Sequence, residues 1–153
     1  MERQPQLQSS HYSVPYIYML DFYPVQDEKQ TQLVPFFKNL KEGKLSTTTC
    51  SNCGILWPPR IVCPSCNRRE LKWTTLPDHG KIYAFSEVRL GIPLGMEKEA
   101  PLIVGMVEFP EHNLKIFTRI DDISPNECKI GLDVKLKIIN LPDGRVFYRF
   151  TKI

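Results

Sequence analysis

The sequence predicts a mainly β chain with a small α-helical N-terminal part, in which a metal-bound ribbon is followed by a five-stranded barrel. Three observations predict it. Four cysteines stand as two Cys-x-x-Cys pairs, Cys50-Ser51-Asn52-Cys53 and Cys63-Pro64-Ser65-Cys66. Residues 80–153 hold five candidate strands, several of them with clear apolar alternation, separated by turn residues. Upstream of the cysteines, one short stretch repeats its apolar residues at the helical period. The units this gives are 1–45 (aromatic segment and helix), 46–73 (ribbon) and 74–153 (barrel).

The N-terminal 30 residues resist a secondary-structure reading, because Pro15 and Pro24 interrupt any long helix. They are dense in aromatics: Tyr12, Tyr16, Tyr18, Phe22 and Tyr23. Such a segment is expected to pack on the chain's own core or to dock on another subunit, where tyrosine is enriched. Residues 31–45 read as a short helix. Leu33, Phe36, Phe37 and Leu40 fall at i, i+3, i+4 and i+7 on one face. Pro35 suits the first turn, where its missing N–H is not needed. Gly43 suits the position just past the end, with Lys38, Lys41 and Lys44 near the negative end of the dipole.

The two cysteine pairs supply four soft thiolates, a tetrahedral set for Zn²⁺. Gly54 and Asn67 follow the pairs, and both residue types tolerate the positive φ that turns backbone N–H groups toward sulfur. Cys50, Cys53, Cys63 and Cys66 are therefore the expected ligands of a structural zinc. A pair of disulfides, loose thiols and a rubredoxin-like iron site are the alternatives. Four thiolates leave no open coordination position, so such a metal holds structure and does no chemistry. Between the pairs, Leu56-Trp57-Pro58-Pro59-Arg60-Ile61 is stiffened by Pro-Pro. Trp73 is the expected packing anchor between the ribbon and the barrel.

The expected strands are Lys81–Arg89, Leu102–Phe109, Leu114–Ile120, Val134–Ile139 and Arg145–Thr151. Val134, Leu136 and Ile138 alternate with Lys135 and Lys137. Asp143-Gly144 marks a hairpin tip, and Pro110–Asn113 marks another turn. Between the third and fourth strands, Ser124 is placed to cap a short helical turn. Five strands with a short helical element in that position are the layout of an OB-fold barrel. In such barrels the long first connection, here Leu90–Pro101, and the face of strands 2 and 3 are where ligands often bind.

Composition narrows the function classes. The chain has 153 residues, 42% of them hydrophobic, a net charge of +3, 13 prolines and 8 glycines. That supports one real core with stiff connections. The charge is too small to mark a nucleic-acid binder by itself. No run approaches a membrane span, and the N-terminus lacks a basic-then-apolar leader pattern. With an odd cysteine count, this predicts a cytoplasmic, reducing location.

Taken in order, these parts resemble a known family. The residues that carry the resemblance are Val14-Pro15-Tyr16, Phe36–Leu45, Cys50–Gly54, Pro58-Pro59-Arg60, Cys63–Cys66 and the Trp73 region, with Gly80–Ser86 and Ile130–Val134 in the barrel. The chain resembles the rubredoxin-like zinc-ribbon/OB-fold, acyl-CoA-associated proteins that carry a domain of unknown function. The resemblance implies a non-catalytic scaffold. It would sit beside a thiolase-like enzyme or a hydroxymethylglutaryl-CoA synthase, as in mevalonate formation, and help bind or channel the CoA moiety.

The leading reading is thus an accessory subunit of an acyl-CoA-processing complex. CoA phosphates prefer Arg or Lys donors, and its adenine prefers a flat stacking partner. Arg60 is the foremost candidate because Pro59 restrains it. Arg68, Arg89 and Arg119 follow, with Arg69, Lys72 and Lys115. The alternative for each is an ordinary solvated charge. The second reading is a single-stranded nucleic-acid-binding module, for which Phe117 between Lys115 and Arg119 speaks. Against it stand the acidic Glu97/Glu99 and Asp121-Asp122 patches. A third reading, an enzyme in its own right, would draw on His11, His79, His112 or a reactive Cys128. His79 in Asp78-His79-Gly80 reads as a turn, and a lone cysteine as a small buried apolar residue. Electron transfer by bound iron is the remote fourth.

Overall fold

A computed structural model describes residues 31–92, 97–142 and 144–153. The aromatic segment of residues 1–30, the Met96 tip of the long connection and Asp143 of the expected hairpin lie outside the described residues.

Helix α1 spans Val34–Lys41, with Pro35 in its first turn. It is shorter than the expected 31–45. Leu33 takes the N-cap position, and Gly43 at φ +80 stops the chain at the other end. There the N–H of Gly43 donates to Leu40 O, and that of Lys44 to Asn39 O. This satisfies carbonyls that have no partner within the helix. Lys38 and Lys41 occupy the last turn, where cations complement the dipole. Asn39 Nδ2 donates to Ser46 Oγ at 2.9 Å, which ties the helix to the next strand.

Strands β1 (Ser46–Cys50), β2 (Gly54–Leu56) and β3 (Lys72–Thr75) form a small antiparallel sheet in the order β2-β1-β3. Its centre is unusual: Ser46, Thr47 and Thr48 are buried hydroxyl residues. Each buried hydroxyl requires a partner. Thr47 Oγ1 donates to Leu56 O, and Thr48 Oγ1 bonds both Arg60 O (3.0 Å) and Arg60 N (2.9 Å). The inter-knuckle segment is therefore fixed by Thr48 as well as by its prolines.

Strands β4 (His79–Val88), β5 (Leu102–Phe109), β6 (Leu114–Asp121), β7 (Asp133–Asn140) and β8 (Val146–Lys152) close a barrel in the order β4-β5-β6-β8-β7. Each lies within a residue or two of its expected span. Among the described residues only β6 and β8 pair in parallel, through Ile120↔Phe150 and Asp121↔Thr151. A bulge at Tyr83 bends β4 over β5. Gly105 permits that approach: a Cβ there would lie 2.4 Å from Ala84 O. The expected helical element after β6 is one hydrogen-bonded turn. The N–H groups of Glu127 and Cys128 donate to Ser124 O, while the N–H and hydroxyl of Ser124 both reach Glu127 Oε2. The Glu127 carboxylate thus makes one half of a capping box, with no helix to follow.

The barrel core contains Ile82, Val107, Phe109, Ile116, Val134 and Phe150, each at most 2% exposed. Burying each such side chain contributes about 1.5–3 kcal/mol. Leu40 of α1, Leu45 before β1 and Leu76 after β3 belong to the same cluster. Helix, ribbon and barrel therefore share one core. Trp57, not Trp73, is the ribbon tryptophan packed on this cluster. Trp73 sits on the pleated sheet opposite Thr48, half-buried.

Candidate metal centre and the adjoining cavity

Cys50 ends β1, and the 51–53 turn carries Cys53 round to Gly54, at φ +82. The second knuckle is similar. Asn67 N donates to Cys63 O, Cys63 N donates to Arg68 O, and Asn67 adopts φ +57. These two positive-φ residues were legible from their types. All five cysteines are free thiols. The Sγ atoms of Cys50, Cys53, Cys63 and Cys66 lie within 4.8 Å of one another, with Cys50 and Cys66 3.6 Å apart. A tetrahedron with Zn–S bonds of about 2.3 Å has S···S edges of about 3.8 Å. The sulfur separations therefore fit a tetrahedral metal and not a disulfide, whose sulfurs stand about 2.05 Å apart.

The electrostatics fit as well. Backbone N–H groups of Asn52 and Cys53 lower the Cys50 thiol. Burial works to raise Cys63, but the N–H groups of Cys66 and Ser65 outweigh it and bring it to about 6. Cys53 is pushed up to about 12, first by its hydrogen bond with Cys66 and then by that with Cys63. The backbone thus favours thiolate at the two buried sulfurs, while four neighbouring thiolates resist ionising together. A cation removes that conflict. Arg68 Nη1 donates to Ser51 Oγ at 2.5 Å and so links the two knuckles.

Beside the ribbon, α1, the Trp57–Arg60 segment and the β7–β8 hairpin enclose a cavity of about 530 Å³. Phe36 sits edge-on to Phe37 (5.0 Å), Trp57 (6.2 Å) and Tyr148 (6.4 Å), and Trp57 is 6.0 Å from Tyr148. Burial pushes the Tyr148 hydroxyl up to about 12. Arg60 stands at the rim, exposed, on its pinned backbone. Sequence reasoning singled out Arg60 and the two phenylalanines. It missed Tyr148 and Thr48, whose roles depend on contacts remote in the chain.

Arg145 lines the same cavity, but the other arginines singled out from the sequence do not join Arg60 there. Arg89 pairs with Glu87 at 2.8 Å. Arg119 is held by Glu99 (2.5 Å) and Asp121 (2.7 Å), and Asp121 also binds Arg149 at 3.0 Å. Arg69 and Lys72 are exposed. Lys115 Nζ lies 3.9 Å over the Tyr83 ring, next to Phe117, which is 64% exposed. His79 opens β4, paired with Lys135, and does not lie in the expected turn; its Nδ1 is 2.6 Å from Asp78 Oδ1 on the exposed surface, and His112 lies in the 3₁₀ turn Pro110–His112. His11 lies outside the described residues. Cys128 is buried, and burial raises its thiol, the opposite of nucleophile activation. Among the described residues no helix is long and apolar enough to cross a membrane.

Comparison with known proteins gives a consistent result. Residues 37–72 match the family model described as ChsH2, rubredoxin-like zinc ribbon domain. Residues 73–138 match that described as ChsH2, C-terminal OB-fold domain. A DUF35 domain-containing scaffold protein of Methanocaldococcus jannaschii is 32% identical over 110 residues, 70% of this chain and 77% of the relative. Benzoylsuccinyl-CoA thiolase subunit BbsA of Thauera aromatica is 33% identical over 139 residues, 82% of this chain and 93% of the relative. Among solved structures, an Ltp2-ChsH2(DUF35) aldolase superposes with a TM-score of 0.67 at 21% identity, covering 85% of this chain and 98% of the other. A Sulfolobus solfataricus DUF35 protein of unknown function gives 0.53 at 20%, covering 82% and 89%. At these identities the two structures speak to the fold alone.

Proposed function

We infer the function from one premise: the chain belongs to the DUF35 family of ChsH2-type zinc-ribbon/OB-fold proteins. It is the accessory subunit of a thiolase-type enzyme complex and is not itself the catalyst. The observation that carries this reading is the four-sulfur cluster, which presents a full tetrahedral donor set and no position for substrate. Cys50, Cys53, Cys63 and Cys66 would hold one Zn²⁺, which fastens the two knuckles together. A relative of similar length bears the name of a thiolase subunit, which supports the choice of partner. Hydroxymethylglutaryl-CoA synthase and the mevalonate pathway are narrower versions of the same proposal.

The finer proposal is that Arg60 receives a CoA phosphate in the assembled complex. Its backbone is held by Thr48 and Pro59, so less freedom is lost on binding. Arg68, Arg89 and Arg119 take no direct part in this proposal, because each is engaged within the chain. The test is to co-purify the chain with a thiolase-type enzyme and titrate CoA and a single-stranded oligonucleotide against the complex. Arg60→Ala should weaken CoA binding about ten- to a hundredfold, the loss of one charge-assisted contact. The pure chain should turn over no thioester. Tight oligonucleotide binding at physiological salt, without CoA binding, would transfer the function to the exposed Phe117–Lys115 face.

A further inference from the structure

The cavity bounded by Phe36, Phe37, Trp57 and Tyr148 is large, and its walls are aromatic. Apolar space of this size at a junction is the kind of site where ligands and docked segments bind. The described chain begins at Thr31, and Leu33, two residues on, already lines the cavity. What precedes it in sequence is apolar. Residues 14–25 read Val-Pro-Tyr-Ile-Tyr-Met-Leu-Asp-Phe-Tyr-Pro-Val, with Asp21 the single charge. A polar link, residues 26–32, joins that segment to the helix. Seven residues reach up to about 24 Å when extended. Helix α1, with eight residues, is about 12 Å long. The link is therefore long enough to carry the segment back over α1 and into the cavity. The charges agree too: the segment's single charge is negative, and Arg60 and Arg145 line the cavity.

We propose that this cavity is the seat of the chain's own residues 14–25, bound in cis, with Tyr and Phe side chains filling the aromatic interior and Asp21 meeting Arg60. The inference goes beyond the accessory-subunit reading and does not rest on it. A tether this short gives an effective concentration in the millimolar range, so a ligand or partner in trans must compete with the segment for the cavity.

Trp57 lines the cavity, Trp73 does not, and the chain has 2 tryptophans. In the full chain carrying Trp73→Phe, Trp57 fluorescence reports occupancy, measured without any enzyme partner. Expected is a blue-shifted emission that acrylamide quenches poorly and that does not change on dilution. Tyr16→Ser, Tyr18→Ser, Phe22→Ser and Tyr23→Ser are made singly and together. Quenching should rise several-fold in the combined variant and in at least one single variant that keeps the parent's circular dichroism and metal content. A synthetic peptide of residues 14–25, added at about 1 mM to match the tether, should restore protection. Equal quenching in the parent and every folded variant overturns the proposal. Protection that disappears on dilution assigns the cavity to a second copy, and protection that appears only with a thiolase-type enzyme assigns it to the partner. Either result also overturns it.

Discussion

The ribbon and the barrel are both small antiparallel β structures, yet different forces hold them. The barrel buries Phe109, Phe150 and a ring of Ile and Val side chains around a continuous apolar centre. The ribbon's own buried apolar set is Cys50, Leu56 and Cys63, with Leu71 against it. Its central strand is Ser-Thr-Thr-Thr-Cys, buried through hydroxyls that bond the facing backbone. A unit with so little apolar burial needs a staple, and four thiolates around one cation are such a staple. The difference teaches that the same strand geometry can rest on dispersion and water exclusion in one place and on polar bonds plus a metal in another.

The largest expected effect breaks the comparison at the metal. Cys50→Ser, or chelation of the metal this site would hold, should unfold the ribbon while the barrel strands persist. Structural zinc is worth on the order of 10 kcal/mol in small domains. Hydrogen exchange should show residues 46–73 losing protection and β4–β8 keeping theirs. Loss of both together would mean that the shared core, not the metal, decides ribbon stability.

The converse change is Phe150→Ala, at a side chain with no exposure. It should cost about 3–5 kcal/mol in urea unfolding of the barrel. The metal content of the purified chain should not change.

A smaller effect tests the hydroxyl strand. Thr48→Val keeps the volume and removes both bonds to Arg60. Leaving those backbone groups unpaired should cost about 1–3 kcal/mol. CoA affinity of the complex should fall with it, because Arg60 loses its fixed backbone. An unchanged stability would show that water replaces the hydroxyl.

The smallest expected effect concerns pH and the barrel alone. Lys152, and then Ser124, hold the Glu127 carboxyl down to about 2, from an ordinary 4.5. A depressed folded value stabilises the fold above pH 4.5, and that contribution is lost as pH falls toward 2. Acid titration of barrel stability should show this loss, and Glu127→Gln should remove it. The ribbon's knuckles lie apart from this pair.

Much of the barrel was legible because its strands alternate and carry turn residues between them. β5 and β6 begin at their expected residues, since Pro101, Pro110 and Asn113 punctuate them. The four cysteines and the positive-φ roles of Gly54 and Asn67 were legible from spacing and residue type. β1 was not, because Ser-Thr-Thr-Thr carries no apolar period. The anchoring role of Trp57 over Trp73 was not legible either, since it depends on where Tyr148 arrives from ninety residues downstream. The engagement of Arg119 by Glu99 was hidden for a related reason: Glu99 reaches β6 from the connection before β5, a contact that leaves no local pattern.

The parallel pairing of β6 with β8 has a consequence for synthesis. The chain emerges from the ribosome N-terminus first, so both cysteine knuckles are available long before β8. The ribbon can take its metal early, from local contacts alone. The barrel cannot close until β8 is present, because β8 joins β6 to β7. Helix α1, whose Phe36 packs on Tyr148 of that last strand, must wait as well. Contacts so distant in sequence close slowly. For that interval α1 lacks the barrel surface on which Phe36 and Leu40 pack.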